Sequence, residues 1–146
     1  MQVMPAARRR LTAAAATAFV CLAGWGAYAW LTRDTSPSCS WPMRVHGTGT
    51  ADEAGVVRCY LEDLAHRNTA GLAAISDSPT TRITASDLTF AADARAGLAT
   101  ADLAPSTISV SIVGITITYA NGAKESAVLV NMQAMGGPST WRMDLN

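Results

Sequence analysis

The order of apolar and polar positions divides the chain into three parts. An uncharged apolar run comes first, a segment rich in Ser, Thr, Pro and Gly follows, and the remainder alternates between helical and strand periodicities. We therefore expect residues 1–31 to be a cytoplasmic n-region with a transmembrane anchor, 32–50 to be a linker arm, and 51–146 to fold as one domain.

The apolar run covers residues 11–31 and follows three arginines at positions 8–10. As a helix it would be roughly 31 Å long, which matches a hydrocarbon core of about 30 Å. The preceding arginines place the N-terminus in the cytoplasm and the C-terminal domain outside. Ala27-Tyr28-Ala29 also resembles a signal-peptidase site, so the alternative is secretion after cleavage before Trp30.

Helical periodicity dominates the first half of the domain. Thr50 precedes Glu53 by three residues, which is a capping box and predicts a helix from Ala51 to Asn68. A short second helix is expected over 69–76 and a third over 84–100. One face of the first helix is apolar and is expected to be buried: Val56, Val57, Tyr60, Leu61 and Leu64.

The second half changes to a period of two and predicts strands. Residues 106–119 are rich in Ile, Val and Thr, and a change of phase at Val113-Gly114 predicts a bulge. Asn121-Gly122 predicts a two-residue primed turn. The returning strand is expected over 124–135, and its inward residues would be Val128, Val130 and Met132. Trp141, Met143 and Leu145 alternate in a last strand.

Charge and composition exclude several classes of protein. Eleven basic residues balance eleven acidic ones, and without the three arginines at 8–10 the exported part has a net charge near −3. Such a domain is not expected to bind nucleic acid. Hydrophobic residues make up 49% of the chain, which is too apolar for intrinsic disorder.

Cys39 and Cys59 form an even pair in an oxidising compartment, so a disulfide is expected between them. On the helical wheel Cys59 lies off the apolar face and is free to pair with the arm. Two unpaired thiols, or Cys59 as a small buried hydrophobe, are the alternatives. The cysteine and histidine spacings contain no zinc motif, and no metal or other cofactor is expected.

Helices followed by a curved antiparallel meander define an α+β domain. The helix that contains Ala54-Gly55-Val56-Val57-Arg58-Cys59-Tyr60-Leu61, together with the closing Trp141-Arg142-Met143, resembles the NTF2-like domains of exported, membrane-anchored bacterial proteins. The resemblance implies a cone-shaped pocket between the first helix and the sheet. Enzymes of that superfamily use an Asp, His or Tyr in the cone. Tyr60 is the one polar group on the core face here, and His66 follows Glu62 as in a solvated pair, so no catalytic residue is assigned.

Two functions follow as expectations. The first is a non-enzymatic, membrane-tethered scaffold domain, similar to single-span subunits of secretion and conjugation machines, with membrane lipid and another protein as partners. The second is a carrier or sensor that binds an apolar small molecule in the cone. A hydrolase or isomerase is third, because Ser-His-Asp, paired-carboxylate and phosphate-loop motifs are missing. The candidate pocket residues are Tyr60, Phe90, Tyr119, Met132, Trp141 and Met143. A filled cone with an exposed apolar patch would favour the scaffold, and a deep, partly empty pocket with a buried polar group would favour the carrier or an enzyme.

Overall fold

A computed structural model describes residues 36–145 of the chain, which form an α+β domain with three helices against one sheet. The helices are α1 (Ala51–Ala65), α2 (Thr69–Ile75) and α3 (Ala91–Ala96). The strands are β1 (Met43–Gly47), β2 (Ala99–Pro105), β3 (Ile112–Thr118), β4 (Lys124–Asn131) and β5 (Trp141–Asp144). Short 3₁₀ turns cover Ser86–Leu88 and Met132–Met135.

The strands lie side by side in the order β1-β2-β3-β4-β5. Strands β2 to β5 form an antiparallel meander, but β1 pairs with β2 in parallel. The sheet is therefore mixed, and the expectation of a purely antiparallel sheet is wrong. The parallel strand is β1, which lies in the segment expected to be a linker. Its sequence has no strand periodicity beyond Met43 and Val45, so no strand was expected there.

Helix α1 begins as its capping box predicts. The Thr50 side chain accepts from the Glu53 N–H at 3.3 Å, and the Glu53 carboxylate accepts from the Thr50 N–H at 2.9 Å. The helix ends at Ala65, three residues before the expected end, because Arg67 has a φ of 52° and Asn68 caps α2. All five apolar residues predicted for its core face are buried.

The predicted disulfide is confirmed and is consistent with an extracytoplasmic domain. Cys39 and Cys59 are joined with an S–S distance of 2.03 Å. Cys59 is buried, which differs from the helical-wheel expectation, because the arm covers that side of α1. Trp41 of the arm packs edge-on against the exposed His66 ring, with centroids 5.4 Å apart, and its carbonyl accepts from Arg58 Nη1 at 2.7 Å.

The third helix is much shorter than the sequence predicts: residues 85–90 form turns that include the 3₁₀ turn Ser86–Leu88, and residues 99–105 are strand β2. Ala99, Ala101 and Leu103 alternate inward and are buried. Small Ala side chains fit either a helix or a strand, and pairing of β2 with both β1 and β3 decides for the strand.

Strand β3 begins at Ile112, and residues 106–111 are a loop. Ile108 and Val110 are 93% and 96% exposed, so the predicted bulge that would turn them inward is wrong. The other parity is confirmed, because Ile115, Ile117 and Tyr119 are buried.

The hairpin between β3 and β4 has a three-residue loop rather than the predicted two-residue turn. Tyr119 N–H donates to the Ala123 carbonyl at 2.8 Å, and Gly122 N–H donates to the Tyr119 carbonyl at 2.9 Å. Gly122 has a φ of 86°, whereas Asn121 keeps a negative φ, and a type I′ turn needs both to be positive.

The inward residues of β4 are Glu125, Ala127 and Leu129, not Val128 and Val130. Their direct partners on β3 are Ile117, Ile115 and Val113, which are all buried. Both faces of β4 carry aliphatic side chains, so periodicity alone could not set its phase. In β5, Met143 is buried as predicted, but Arg142 is buried beside it and Trp141 is half-buried.

Residues 1–31, where the anchor or signal is predicted, lie outside the described residues. Within residues 36–145, no helix is long and apolar enough to cross a membrane.

Candidate functional site

A cleft of about 320 Å³ lies between α1, the segment before α3 and the β4 and β5 strands. It opens to solvent and has both apolar and polar walls. The lining residues are Tyr60, Leu72, Ile83, Ser86, Asp87, Thr89, Phe90, Glu125, Ser126, Ala127, Asp144 and Leu145. No Lys, Arg or His is among these described lining residues, so the charged groups at the cleft are all carboxylates.

Glu125 is the central polar group of the cleft. Its register opposite Ile117 places it on the inner face of the sheet, where most side chains are apolar. A carboxylate at a half-buried inward position is costly unless other groups hydrogen-bond to it. Two tyrosines supply those bonds.

Tyr60 of α1 donates its phenolic O–H to Glu125 Oε1, and Tyr119 donates its O–H to Oε2 at 2.5 Å. One tyrosine comes from the helix and the other from the end of β3, so the carboxylate joins the two layers of the domain. Such charge-assisted bonds are stronger than bonds between neutral groups. The Tyr119 ring also stacks on Phe90, with centroids 5.2 Å apart and an interplanar angle of 10°.

Both phenols are held in their protonated form. Burial raises the pKa of Tyr60 far above its ordinary value, and the nearby Glu125 and Asp87 carboxylates raise it further. Burial likewise raises the pKa of Tyr119, and its hydrogen bond to Glu125 adds to this. Neither tyrosine can therefore act as a base near neutral pH, and each phenolic proton is committed to Glu125.

The raised tyrosine pKa values predict a loss of stability in alkali. Below about pH 10 both tyrosines are protonated in the folded and unfolded states, so they add no pH dependence. Above it the unfolded chain releases protons that the folded domain retains, and the free energy of unfolding falls as the pH rises. Urea unfolding midpoints measured at increasing pH should show this fall. In a Tyr60→Phe/Tyr119→Phe variant the unfolding midpoint should fall less steeply with pH. An equal slope in both proteins would contradict the raised pKa values of the two tyrosines.

Asp87 forms the outer polar wall. Its Oδ2 accepts from the Thr84 N–H at 2.5 Å and from the Thr84 hydroxyl at 2.8 Å, which fixes the turn before α3. The Thr84–Asp87 pair precedes the 3₁₀ turn Ser86–Leu88, whose N-cap residue Ala85 makes no side-chain capping bond, and not the long helix expected from residue 84. Within the described residues, no group of three or more His, Cys, Asp or Glu is placed to hold a metal ion.

The structure brings together three of the six candidate pocket residues. Tyr60 and Phe90 line the cleft, and Tyr119 lies behind them against Phe90 and Glu125. Met143 is fully buried in the core and does not line the cleft. Met132 and Trp141 lie at the other end of the sheet, where β4 ends and β5 begins.

Sequence reasoning missed Glu125, which is the residue that organises the site. The available signal was its parity with Leu129, four positions later on β4. If Leu129 is assigned to the interior, the alternation of β4 also places the Glu125 carboxylate inward, near Tyr60 and Tyr119.

Comparison with known proteins places the chain in no family. No family model, no curated protein and no solved structure matches it. The function is therefore argued from the geometry of the cleft.

Proposed function

We propose that this chain is a membrane-tethered, extracytoplasmic domain that binds a small molecule with a protonated amine and an apolar body. The observation that carries the proposal is the pair of tyrosine hydroxyls that converge on Glu125 at the cleft. The NTF2-like resemblance, with a pocket between the first helix and the sheet, agrees with this location.

The polar groups of the cleft favour a ligand that donates hydrogen bonds. Each phenolic proton is already used on Glu125, so the tyrosine oxygens can only accept further bonds. A carboxylate has about four acceptor positions, and the tyrosines occupy two of them. With Asp87 as a second carboxylate and no basic side chain among the lining residues described, an anionic ligand would be repelled.

The apolar walls favour a ligand of modest size. Leu72, Ile83 and Phe90 contribute hydrocarbon surface next to the polar groups. The volume of about 320 Å³ is at the small end of ligand pockets, which span about 300–1,000 Å³. A single ring or short alkyl chain with one amine fits that space.

The tether rests on the sequence, and the disulfide supports the compartment. The uncharged run over residues 11–31 follows a cluster of arginines, and the Cys39–Cys59 bond is typical of an oxidising environment. The scaffold function stays a prediction. An open cleft with a buried tyrosine favours ligand binding, because a scaffold was expected to have a filled cone.

The amine preference can be tested with two probes that share an apolar body. We expect 2-phenylethylamine to bind the full chain in detergent micelles at neutral pH, and 3-phenylpropanoate not to bind, in calorimetric titrations corrected for empty micelles. Glu125→Gln should weaken amine binding about tenfold, since it removes a charged acceptor. Asp102→Asn is the matched control, because Asp102 is an exposed carboxylate on the outer face of β2.

The control variant should bind the amine as the unaltered protein does. Equal binding of both probes, absence of amine binding, or equal weakening by the two variants would contradict the proposal. Unfolding midpoints of both variants show whether the domain is still folded at the temperature of the titration.

A further inference from the structure

Two loops lie together at the end of the sheet opposite the β3–β4 hairpin. Residues 106–111 connect β2 to β3, and residues 132–140 connect β4 to β5. Asn131, the last residue of β4 before the second loop, donates its N–H to the Ser111 carbonyl of the first loop at 2.8 Å. We call these two segments the loop end of the domain.

The loop end exposes aliphatic side chains on a fixed backbone. Ile108 and Val110 are almost fully exposed, and Met135 is 63% exposed. The Ser106 N–H donates to the Ile112 carbonyl at 3.0 Å, and the Ser106 hydroxyl accepts from the Ile108 N–H at 3.1 Å. These bonds hold the start and the end of the first loop while its aliphatic groups face solvent, which is unfavourable unless something covers them.

The loop end also lacks charge. The sequence has no Asp, Glu, Lys or Arg from residue 103 to 123 or from 126 to 141, which includes both loops. The exposed carboxylates nearest in sequence are Asp102, four residues before the first loop, and Asp144, four residues after the second; both belong to strands and not to the loops. Loops without charged side chains can move from water into a less polar environment without the free-energy cost of desolvating an ion.

The chain enters the domain at the same end. Ser36 is held there, because its hydroxyl accepts from the Trp141 N–H at 2.9 Å at the start of β5. Trp141 pairs with Asn131, and Ile112 pairs with Val130, so the first residue of β3 lies two strands away, about 10 Å. Only residues 32–35 separate Ser36 from the end of the apolar run, a reach of at most about 17 Å.

We infer that Ile108 and Val110 insert into the interfacial layer of the bilayer that holds the N-terminal anchor. The inference rests on the tether in the proposed function. The short connection keeps the loop end near the membrane surface, and the uncharged, aliphatic loop is the surface that fits the boundary between headgroups and acyl chains. Glu125 lies six residues before Asn131 on β4, about 20 Å away, so the cleft would face away from the membrane.

The insertion can be measured on the full chain in lipid vesicles, with Cys21→Ser so that an added cysteine is the free thiol. An environment-sensitive fluorophore is attached after Ile108→Cys in one protein and after Lys124→Cys in another. Lys124 is exposed and begins β4 beside the hairpin, so it is the matched control at the opposite end. The label at position 108 should shift to shorter wavelength and lose emission when the lipids carry a nitroxide near the headgroup. The label at position 124 should do neither.

Flotation of the vesicles separates this inference from the tether. If the protein floats with the vesicles and the label at position 108 is not quenched, the insertion is wrong and the tether stands. A shift without quenching by nitroxide lipids would show that protein covers the loop, and it would also overturn the insertion. If the protein does not float with the vesicles, the proposed tether is wrong, and so is the insertion that depends on it.

Discussion

Replacing Tyr119 with alanine is expected to lower the free energy of unfolding by about 3–5 kcal/mol, because a buried aromatic ring leaves a cavity. Tyr119 is 2% exposed and stacks on Phe90. The substitution also removes one of the two hydrogen bonds that hold Glu125. Such a loss is a large fraction of the stability of a small domain.

Pulse proteolysis of the full chain in urea measures this loss, since it reports cleavage of the unfolded domain. Tyr119→Phe keeps the ring and should cost about 1.5–3 kcal/mol, the range for removing a bond to a charged group. Ile108→Ala should stay within about 0.5 kcal/mol, because Ile108 is exposed in the described domain. An equal effect of Tyr119→Ala and Ile108→Ala would contradict the inward orientation of Tyr119.

Removing the disulfide with Cys39→Ala/Cys59→Ala is expected to cost roughly 3 kcal/mol in the chain-entropy model, since the bond closes a loop of 20 residues. The loss comes chiefly from the unfolded chain, which gains freedom when the arm is released. In the folded domain the arm keeps its contacts through Trp41 with Arg58 and His66. The fold should therefore persist at lower stability.

The same proteolysis assay with and without a reducing agent tests this prediction. Reduction should lower the unfolding midpoint of the unaltered protein and leave that of the double variant unchanged. Arg58→Ala, which keeps the disulfide but removes the bond to the Trp41 carbonyl, should cost about 1 kcal/mol. An unaltered protein that is insensitive to complete reduction would rule out a stabilising role for the bond.

Features that depend on neighbours in sequence were predictable. The capping box of Thr50 and Glu53 needs only residues three apart, and the structure contains both of its bonds. The apolar face of α1 follows from its helical spacing, and the disulfide from the number of cysteines in an oxidising compartment. Three residues at the site, Tyr60, Phe90 and Tyr119, could be named from the sequence, because each lies at an apolar position of a helical or strand pattern.

Features that depend on partners distant in sequence were not predictable. Strand β1 forms because β2 offers a free edge, and its short sequence has no period that shows this. Val128 and Leu129 have nearly equal hydrophobicity, so only pairing with Val113 and the neighbouring core residues of β3 selects Leu129 for the interior. The same pairing carries Glu125 inward to the two tyrosines.

By itself the sequence determined the α+β class, the start of α1, the disulfide and the apolar run that predicts an anchor, because these follow from local spacing and composition. The tertiary structure alone decided the mixed sheet, the phase of β4 and the exposure of Ile108 and Val110. The physical reason is that a strand buries one of its two faces only when it meets a partner. Where both faces carry aliphatic side chains, the register of the assembled sheet decides which one is buried and so where the carboxylate of the cleft lies.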